Sequence, residues 1–565
     1  MGLLEKVPTK PSADAGKTWP AIAMGFFVAF GGILFGYDTG TIGGILGMPY
    51  FKEHYGTFDE ANNTYEISTS TKSAIVSILS AGTFFGSLFS PVLADRLGRR
   101  PALMISTWVF NLGVILQTAS TSNPLFLAGR FFAGFGVGLV SALIPLYQSE
   151  TAPKWIRGAI VGAYQFAITI GLLLAAVVDN ATQERTDTSS YRIPIAVQFA
   201  WSLILFFGMM ILPETPRYLI RAKRMDKAAK ALAYMRRLPE DHPVIHEELH
   251  EIKASYDHEM RESQHTTILD CFKPPILKRQ LTGCGLQALQ QLTGINFIFY
   301  YGTTYFTNAQ VGSPFTITMI TSAVNVASTI PGLYLVDKWG RRPILLAGAI
   351  GMCISQLIVA ITGTVSTGQY TAGDILPEGA FIGKVFVKDL ATQKVAIAFV
   401  CIYIFFFAST WGPLAWVVTG EIFPLRTRAM SLSLTTATNW LLNWAIAFAT
   451  PYLTDYGAGS ANLQSKIFFV WFGACFLCIA FVYFMIYETK DLTLEEVDLL
   501  YEDVKFAPKS TSWTPPKESW QQRKSIAEQH SSKANETNQE GPADHVEGGS
   551  PTVGGTDTIS PTTMA

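Results

Sequence analysis

Long apolar stretches alternate with short polar loops along most of this chain. A helix that crosses a bilayer needs about 20 mostly apolar residues, and the chain offers about twelve stretches of that kind. The first six cover roughly 21–47, 73–94, 102–120, 124–148, 158–178 and 193–212. The second six cover roughly 281–307, 316–336, 344–363, 394–419, 430–450 and 467–487. The pattern predicts an all-α membrane protein with twelve transmembrane helices, six in each of two halves.

The charged segments between these stretches occur twice at similar spacing. The segment 95–101 (DRLGRRP) returns 242 positions later as 337–343 (DKWGRRP). The other repeated charges are Glu150, Arg157 and Glu214, which return as Glu421, Arg428 and Glu488. Matching charges at matching places indicate a duplicated membrane unit, in which a substrate site lies where the two halves meet. We therefore expect two pseudo-symmetric halves.

Composition supports a membrane protein and excludes several other classes. Of the 565 residues, 49% are hydrophobic and 15% are charged, whereas soluble domains have about 25% charged residues. The net charge of −1 favours neither a nucleic acid nor a strongly charged partner. No metal-ligand cluster and no hydrolase nucleophile set stands out, and the six cysteines are scattered, mostly within apolar stretches. We expect no cofactor, no metal and no enzyme activity.

Lysine and arginine indicate the orientation. They are concentrated in the loops near 95–101, 149–158, 337–343 and 420–429 and are sparse in the loops of the other side. Because basic loops stay on the cytoplasmic side, an even number of spans places both termini there as well. This divides the chain into a cytoplasmic N-terminal segment (1–20), an N-terminal half (21–212), a cytoplasmic linker (213–280), a C-terminal half (281–487) and a cytoplasmic tail (488–565).

The linker and the tail differ in composition. Residues 221–237 are rich in strong helix formers with apolar residues at helical spacing, which predicts short amphipathic helices below the membrane. From about residue 503 the chain consists mainly of Ser, Thr, Pro, Gly and charged residues. Such a segment has too few apolar residues to fold alone. We expect most of the tail to be disordered.

Asp38 is the lone carboxylate within the first apolar stretch. A charge in the middle of a bilayer costs about 2.5–3.5 kcal/mol on insertion scales, so it usually lines a cavity and has a partner. Arg130, near the start of the fourth stretch, is the candidate, and two such charges 4 Å apart attract by about 4 kcal/mol at an effective dielectric of 20. A movement that separates the pair would let a proton bind and couple transport to a proton gradient. The alternative is a structural ion pair that never titrates.

Neutral polar side chains are concentrated on a few of the predicted helices. Amides donate and accept hydrogen bonds, and indole rings stack on apolar ring faces. A sugar presents both hydroxyl groups and a flat C–H face, so this set suits a sugar. The alternative for any single residue is hydrogen bonding between helices. The set is Gln165, Gln287, Gln290, Gln291, Asn296, Tyr300, Tyr301, Asn325, Trp411, Trp416, Asn439 and Asn443.

The duplicated charged segments suggest a gate. Acidic and basic side chains at the cytoplasmic face can form salt bridges that hold the two halves together and break when the inner side opens. The alternative is that these charges only determine topology. The predicted gate residues are Asp95, Arg99, Arg100, Glu150, Arg157, Asp337, Arg341, Arg342, Glu421 and Arg428.

Over nearly all of residues 20–500 the chain resembles the sugar porter family of the major facilitator superfamily. The residues that carry the resemblance are Gly36-Tyr37-Asp38, 95–100 (DRLGRR), Arg130, Glu150 with Arg157-Gly158, 213–217 (PETPR), Gln290-Gln291 with Gly294-Ile295-Asn296, 337–342 (DKWGRR), Trp411-Gly-Pro with Trp416, Glu421-Ile-Phe-Pro with Arg428, and Glu488-Thr-Lys490. The resemblance implies the major facilitator fold, alternating access and a monosaccharide substrate. The residues within these motifs are most similar to those of fungal hexose transporters, which implies that the protein is located in the plasma membrane.

The resemblance also implies roles for individual residues. The sugar contacts it implies are Gln165, Gln290, Gln291, Asn296, Asn325, Trp416, Asn439 and Asn443. Asp38 matches the carboxylate of proton-coupled sugar porters, whereas animal facilitators place Asn there. Tyr487 departs from the family, which usually has Pro at that position.

The leading hypothesis is a proton-coupled importer of a hexose, with glucose as the expected substrate. The alternatives are an uncoupled facilitator and a transporter-like glucose sensor. We expect the protein to work as a monomer, with a monosaccharide, a proton and the lipid bilayer as its partners.

Overall fold

The computed structural model of the chain describes residues 18–59, 64–152, 156–246, 248–250, 252–253, 268–309, 312–370, 385–424, 427–455, 459–490, 492 and 494–514. The rest of the predicted tail, including 515–565, lies outside the described residues.

The first half of the chain is helical, with one small hairpin. Its elements are α1 (Trp19–Ala29), α2 (Gly31–Ile45), α3 (Pro49–Tyr55), β1 (Thr57–Asp59), β2 (Thr64–Glu66), α4 (Thr69–Leu97), α5 (Arg99–Thr118), α6 (Asn123–Thr151), α7 (Arg157–Thr182) and α8 (Ser189–Ile211). Strands β1 and β2 pair antiparallel, with Phe58 opposite Tyr65. The helices α1 and α2 together form the first predicted span.

The linker and the second half follow the same pattern. The linker contains α9 (Pro216–Arg221) and α10 (Met225–Arg236). The second half contains α11 (Ile276–Leu292), α12 (Ile295–Ala309), α13 (Pro314–Trp339), α14 (Arg341–Val365), the strands β3 (Thr367–Gln369) and β4 (Val385–Val387), α15 (Leu390–Phe406), α16 (Gly412–Glu421), α17 (Arg428–Thr454), α18 (Ile467–Met485) and, in the tail, α19 (Leu494–Asp503).

Ten helical segments within the described ranges are long and apolar enough to cross a membrane. The two remaining predicted spans, 281–307 and 430–450, are also helical. The first is divided into α11 and α12, of 17 and 15 residues, each shorter than the roughly 20 residues that a crossing needs. The second, α17, is long enough but carries many Ser, Thr and Asn side chains. The two spans that stand out as polar are those that hold most of the predicted sugar contacts.

The surface and the interior of the bundle differ as expected for a protein in lipid. Large apolar side chains such as Trp108, Ile211 and Phe476 are more than half exposed. Contiguous exposed apolar surface of this kind fits a membrane environment. The two halves meet along long helix pairs, α4 with α17 and α7 with α13.

Two helix breaks shape the second half. Gly294 separates α11 from α12 and has a φ of 84°, in the left-handed region that favours glycine. A π-helical turn at Phe407–Trp411 precedes Gly412-Pro413 and separates α15 from α16. Broken helices free backbone carbonyl groups that line an interior site.

The linker and the start of the tail pack at one end of the bundle. Helix α10 buries Ala228, Leu232 and Met235, in agreement with the predicted amphipathic helix. Helix α19 is tied to the bundle by Tyr487, whose ring stacks on Tyr501 with centroids 4.4 Å apart. The expected loss of structure from about residue 503 is therefore wrong for the stretch up to residue 513, because the apolar contacts are supplied by the rest of the protein rather than by the tail itself.

Candidate functional site: a buried amide cluster and an intramembrane ion pair

Asparagine and glutamine side chains of α11, α12 and α17 form one hydrogen-bonded group in the second half, here called the amide cluster. Asn439 is its centre: its Nδ2 donates to Gln287 Oε1 at 2.7 Å and to Gln290 Oε1 at 2.8 Å. Its Oδ1 accepts from Gln291 Nε2 at 2.8 Å. Asn296 also donates to Gln291. The helical spacing of these residues places them on facing sides of α11 and α17.

The amide cluster reaches the first half through Asn443. Its Nδ2 donates to Gln291 Oε1 at 3.3 Å, and its Oδ1 accepts from Ser80 Oγ of α4 at 2.7 Å. The Tyr300 hydroxyl donates to the same Oδ1 at 3.0 Å. Asn443 is 1% exposed. The cluster therefore lies at the interface of the two halves and is closed to solvent.

The predicted contacts on other helices border the same region. Gln165 Oε1 of α7 accepts from Trp416 Nε1 of α16 at 3.2 Å, which is another contact between the halves. Gln165 also lies beside Gly412, whose carbonyl oxygen accepts from Gln290 Nε2 at 3.1 Å. Asn325 of α13 is 2% exposed, and its Oδ1 has no hydrogen-bond partner among the described residues. A buried amide oxygen without a partner is available to a ligand hydroxyl.

The structure places Asp38 and Arg130 together, as the sequence predicted. Arg130 Nη1 lies 3.0 Å from Asp38 Oδ1, and both residues are at most 1% exposed. Arg130 Nε also donates to the Ile75 carbonyl oxygen. Asp38 Oδ2 and Arg130 Nη2 have no hydrogen-bond partner among the described residues. The ion pair is therefore only partly satisfied by the described residues.

Tyr300 belongs to the amide cluster and lies near the ion pair. Its hydroxyl donates to Asn443 Oδ1, and it is near enough to Arg130 for the two groups to interact electrostatically. Because Tyr300 belongs to α12 and Arg130 to α6, a movement of α12 changes the distance between these two groups.

One end of the bundle carries the repeated charged segments and is here called the basic face; the other end is the opposite face. On the opposite face Lys72 Nζ of α4 lies 3.0 Å from Asp455 Oδ2, just after α17. Thr69 Oγ1 donates to the same oxygen at 3.1 Å. Helix α12 also packs on α2, since a Cβ on Gly43 would lie 2.5 Å from the Phe299 carbonyl oxygen. The opposite face is closed by contacts between the halves.

On the basic face the first half forms a network around Glu150. Arg99 Nη2 lies 2.9 Å from Glu150 Oε1, and Thr215 Oγ1 donates to Glu150 Oε2 at 2.5 Å. Glu214 accepts the backbone N–H groups of Arg99 and Arg100 at 3.1 and 3.0 Å, so it caps the start of α5. Burial raises the pKa of Glu214 above its ordinary value, against the N–H groups of Thr215 and Arg100, which lower it.

The second half repeats this network. Arg341 Nη2 lies 2.6 Å from Glu421 Oε1, and Thr489 Oγ1 donates to Glu421 Oε2 at 2.7 Å. Glu488 accepts the backbone N–H groups of Arg341 and Arg342 at 2.9 and 3.1 Å. The sequence repeat thus corresponds to a repeat of individual hydrogen bonds.

These ion pairs differ from the predicted gate in where they act. Arg99 with Glu150, and Arg341 with Glu421, each join helices of the same half, whereas the prediction placed the bridges between the halves. Asp95 pairs with Arg221 of the linker at 2.6 Å.

Three further arginines of the predicted gate contact backbone carbonyl groups. Arg100 Nη2 donates to the Met210 carbonyl oxygen, and Arg428 donates to that of Phe423. Arg342 Nη2 donates to the Tyr483 carbonyl oxygen at 2.9 Å. The side chains of Arg157 and Asp337 lie outside the described part of the structure. The described pairs with Glu150 and Glu421 therefore join the helices of one half to each other at the basic face.

The Arg341–Glu421 pair allows a test of that structural role. Arg341→Ala will lower the stability of the protein by up to about 3–5 kcal/mol, because it removes the charged partner of a largely buried carboxylate. Thermal unfolding in detergent measures the effect. The double variant Arg341→Met with Glu421→Leu should be more stable than the single variant, since no unpaired charge remains. Equal losses in the single and double variants would contradict this role.

Some residues of the site were missed from the sequence. Ser80 is one of many serines in α4, and nothing in the pattern separates it from the others. Lys72 and Asp455 stand at helix ends far apart in the sequence. Trp444, which follows Asn443 by one residue, is 37% exposed and lies away from the cluster. Asp179 is a buried carboxylate near the end of a predicted span, and its position could have identified it.

The fold and the site together define a membrane carrier: two linked helical halves enclose uncharged hydrogen-bonding groups and a buried ion pair. The chain matches the family described as "Sugar (and other) transporter" over residues 24–501. It therefore belongs to the sugar transporter family, whose members are transporters and not enzymes.

Three curated relatives are similar over most of the chain. The "major facilitator-type transporter ecdD" of Aspergillus rugulosus is 64% identical over 88% of this chain and 90% of its own length. The "probable glucose transporter rco-3" of Neurospora crassa is 48% identical over 86% of this chain and 80% of its own length. The "high glucose sensor RGT2" of Saccharomyces cerevisiae is 46% identical over 84% of this chain but only 60% of its own length.

A solved structure has the same fold. The proton:xylose symporter XylE bound to 6-bromo-6-deoxy-D-glucose superposes with a TM-score of 0.71 at 25% identity, over 86% of this chain and 100% of that chain. The likeness supports the predicted fold class, an all-α major facilitator protein.

Proposed function

We propose that this protein imports a hexose across the plasma membrane by alternating access, with glucose as the proposed substrate. We propose further that this import is coupled to protons through Asp38. The observation that carries the proposal is the amide cluster, which lies buried where the two halves meet. The Neurospora relative named as a probable glucose transporter supports the choice of glucose.

The amide cluster suits a neutral polyhydroxylated ligand. In the closed structure its amides bond mainly to one another and to freed backbone carbonyl groups. Sugar hydroxyl groups can replace these partners one for one, so binding does not leave buried polar groups unpaired. Trp416 offers an indole edge beside Tyr164 at 5.7 Å between ring centroids. The proposed contacts are Gln165, Gln290, Gln291, Asn296, Asn325, Trp416, Asn439 and Asn443.

The ion pair and its neighbours support proton coupling. When Asp38 is ionised, its carboxylate on α2 holds the Arg130 side chain. When Asp38 is protonated, this attraction is lost and the Arg130 side chain can move toward Tyr300 and the amide cluster. Sugar and proton then favour the same rearrangement, which is the requirement for coupling. The description of XylE as a proton symporter supports this reading.

Alternation requires two faces that open in turn. We place the basic face in the cytoplasm, by the rule for Lys and Arg, and the Lys72–Asp455 pair on the outer side. Opening to the outside then requires that pair to separate and α12 to leave α2. The carrier needs no second copy for this cycle and works as a monomer.

Labelled glucose uptake in a transporter-null yeast tests the proposal. Expression of the full chain should restore uptake and accumulation, and a protonophore should abolish the accumulation. Full uptake after the gradient collapses would reject coupling and leave an uncoupled facilitator.

A glucose sensor is the second candidate, because the chain is 46% identical to the sensor RGT2. Deleting residues 515–565 separates the two functions and keeps Ala507 and Ser510, which are buried against the bundle. Intact uptake in the truncated chain supports a carrier. Lost signalling from a chain that never transports sugar supports a sensor.

A further inference from the structure

A second buried carboxyl group lies outside both the amide cluster and the ion pair. Asp179 is on α7, three residues before the helix ends at Thr182, and it is 1% exposed. Among the described residues, neither of its carboxyl oxygens has a hydrogen-bond partner. Burying a carboxylate without a partner or a counter-charge is costly, so this group is stable there only if something else satisfies it.

The carboxyl group sits in a space that a glycine leaves free. Helix α2 packs against α7 through Gly32, Gly36, Gly40 and Gly44. At the first three positions the nearest atoms on α7 belong to the backbone or to apolar side chains. At the fourth, a Cβ on Gly44 would lie 2.2 Å from Asp179 Oδ2. An otherwise apolar helix contact therefore ends on a carboxyl group.

Tyr37 and Asp38 lie on the same helix as Gly44. Tyr37 is near enough to Asp179 for the two groups to interact electrostatically, and the Tyr37 hydroxyl has no hydrogen-bond partner among the described residues. Asp38, paired with Arg130, follows Tyr37 in the chain. Asp38 precedes Gly44 by six residues, or about 9 Å along a helix. The ion pair therefore lies within about two turns of α2 from the glycine that packs on Asp179.

The same end of α2 is covered by the other half of the protein. Gly43 contacts the backbone of α12, and a Cβ on Gly47 would lie 3.1 Å from Thr303 Cγ2. Gly43 and Gly44 are neighbours, so the same turn of α2 contacts α12 on one side and Asp179 on the other. If α12 moves away, water gains access to this turn.

We propose that Asp179 is a proton-binding site, which holds a proton while α12 covers α2 and exchanges it with the outer solution when α12 leaves. The carboxylate takes the proton from water, and the acid returns it to water. No bond other than O–H is made or broken. The part of Asp179 in sugar coupling rests on the proposed function; the binding of a proton does not.

Infrared spectroscopy of the purified full-length chain tests proton binding directly, because a protonated carboxyl group has a C=O stretch that a carboxylate lacks. At neutral pH, part of this band should disappear in Asp179→Asn. It should persist in Glu184→Gln, which removes an exposed acid five residues further on. An unchanged band in Asp179→Asn would overturn the proposal.

Transport provides a second readout, in proteoliposomes whose outer pH alone is varied. We expect Asp179→Asn to reduce the change in uptake rate with outer pH several-fold. We expect Tyr37→Phe to shift the outer pH at which uptake changes. Tyr37→Phe keeps the test valid if Asp179→Asn does not fold. Wild-type pH dependence in both variants would overturn the proposal. If a protonophore leaves wild-type uptake unchanged, the coupling in the proposed function fails, whereas loss of the infrared band still supports the proton site.

Discussion

Asp38→Asn will abolish sugar accumulation while labelled sugar still exchanges across the membrane. The amide keeps the shape of the carboxyl group and can still accept from Arg130, but it cannot bind a proton. The sugar then equilibrates instead of being concentrated. Accumulation and exchange are measured in the same yeast vesicles, so exchange also shows that the variant is folded.

Thr41→Val is the matched control for that experiment. Thr41 is buried on α2 three residues after Asp38, and its hydroxyl donates to the Tyr37 carbonyl oxygen of the same helix. The control should accumulate sugar like the wild type. Accumulation by Asp38→Asn at the wild-type level would contradict the role assigned to the ion pair and support a structural bridge that never titrates.

Asn439→Leu will raise the KM for glucose by about 10- to 100-fold, because a sugar hydroxyl group that enters the buried site without its amide partner costs about 1–3 kcal/mol of binding free energy. Leucine has a similar volume but offers no hydrogen bond. It removes the partner of Gln287, Gln290 and Gln291 in one substitution. Initial rates of labelled glucose uptake at varied concentration measure the effect, with the amount of protein at the membrane as the reference.

Thr438→Val is the control on the adjacent position of α17. Its hydroxyl donates only within the helix, to the Leu434 carbonyl oxygen at 2.9 Å. We expect its KM to stay near the wild-type value. A KM of Asn439→Leu that matches the control would place the sugar elsewhere.

The predictable part of the site follows from spacing along a single helix. Gln287, Gln290 and Gln291 share a face of α11, and Asn439 and Asn443 share a face of α17, because residues three and four apart lie together on a helix. The sequence could therefore nominate both faces. It could not show that Asn439 is the centre of the cluster, since this depends on how α11 approaches α17.

The predicted gate shows a different limit. The repeated charges were identified correctly, and the repeat extends to single hydrogen bonds of Glu214 and Glu488. Their partners could not be assigned from the sequence, because an arginine can reach a carboxylate in its own half or in the other. The ion pair between the halves that the described residues contain is instead Lys72 with Asp455 at the opposite face, and these two residues belong to no repeated segment.

The sequence by itself determined the class of protein, the positions of the helical spans, the duplication and the faces that carry amides. These properties are local, since bilayer thickness and helical periodicity act on each segment separately. Tertiary structure alone decided which charges pair within a half, which pair between the halves, and that Asp179 is buried against Gly44 with no hydrogen-bond partner among the described residues. Those outcomes depend on distances between segments far apart in the chain, and helix packing sets such distances after each helix has formed.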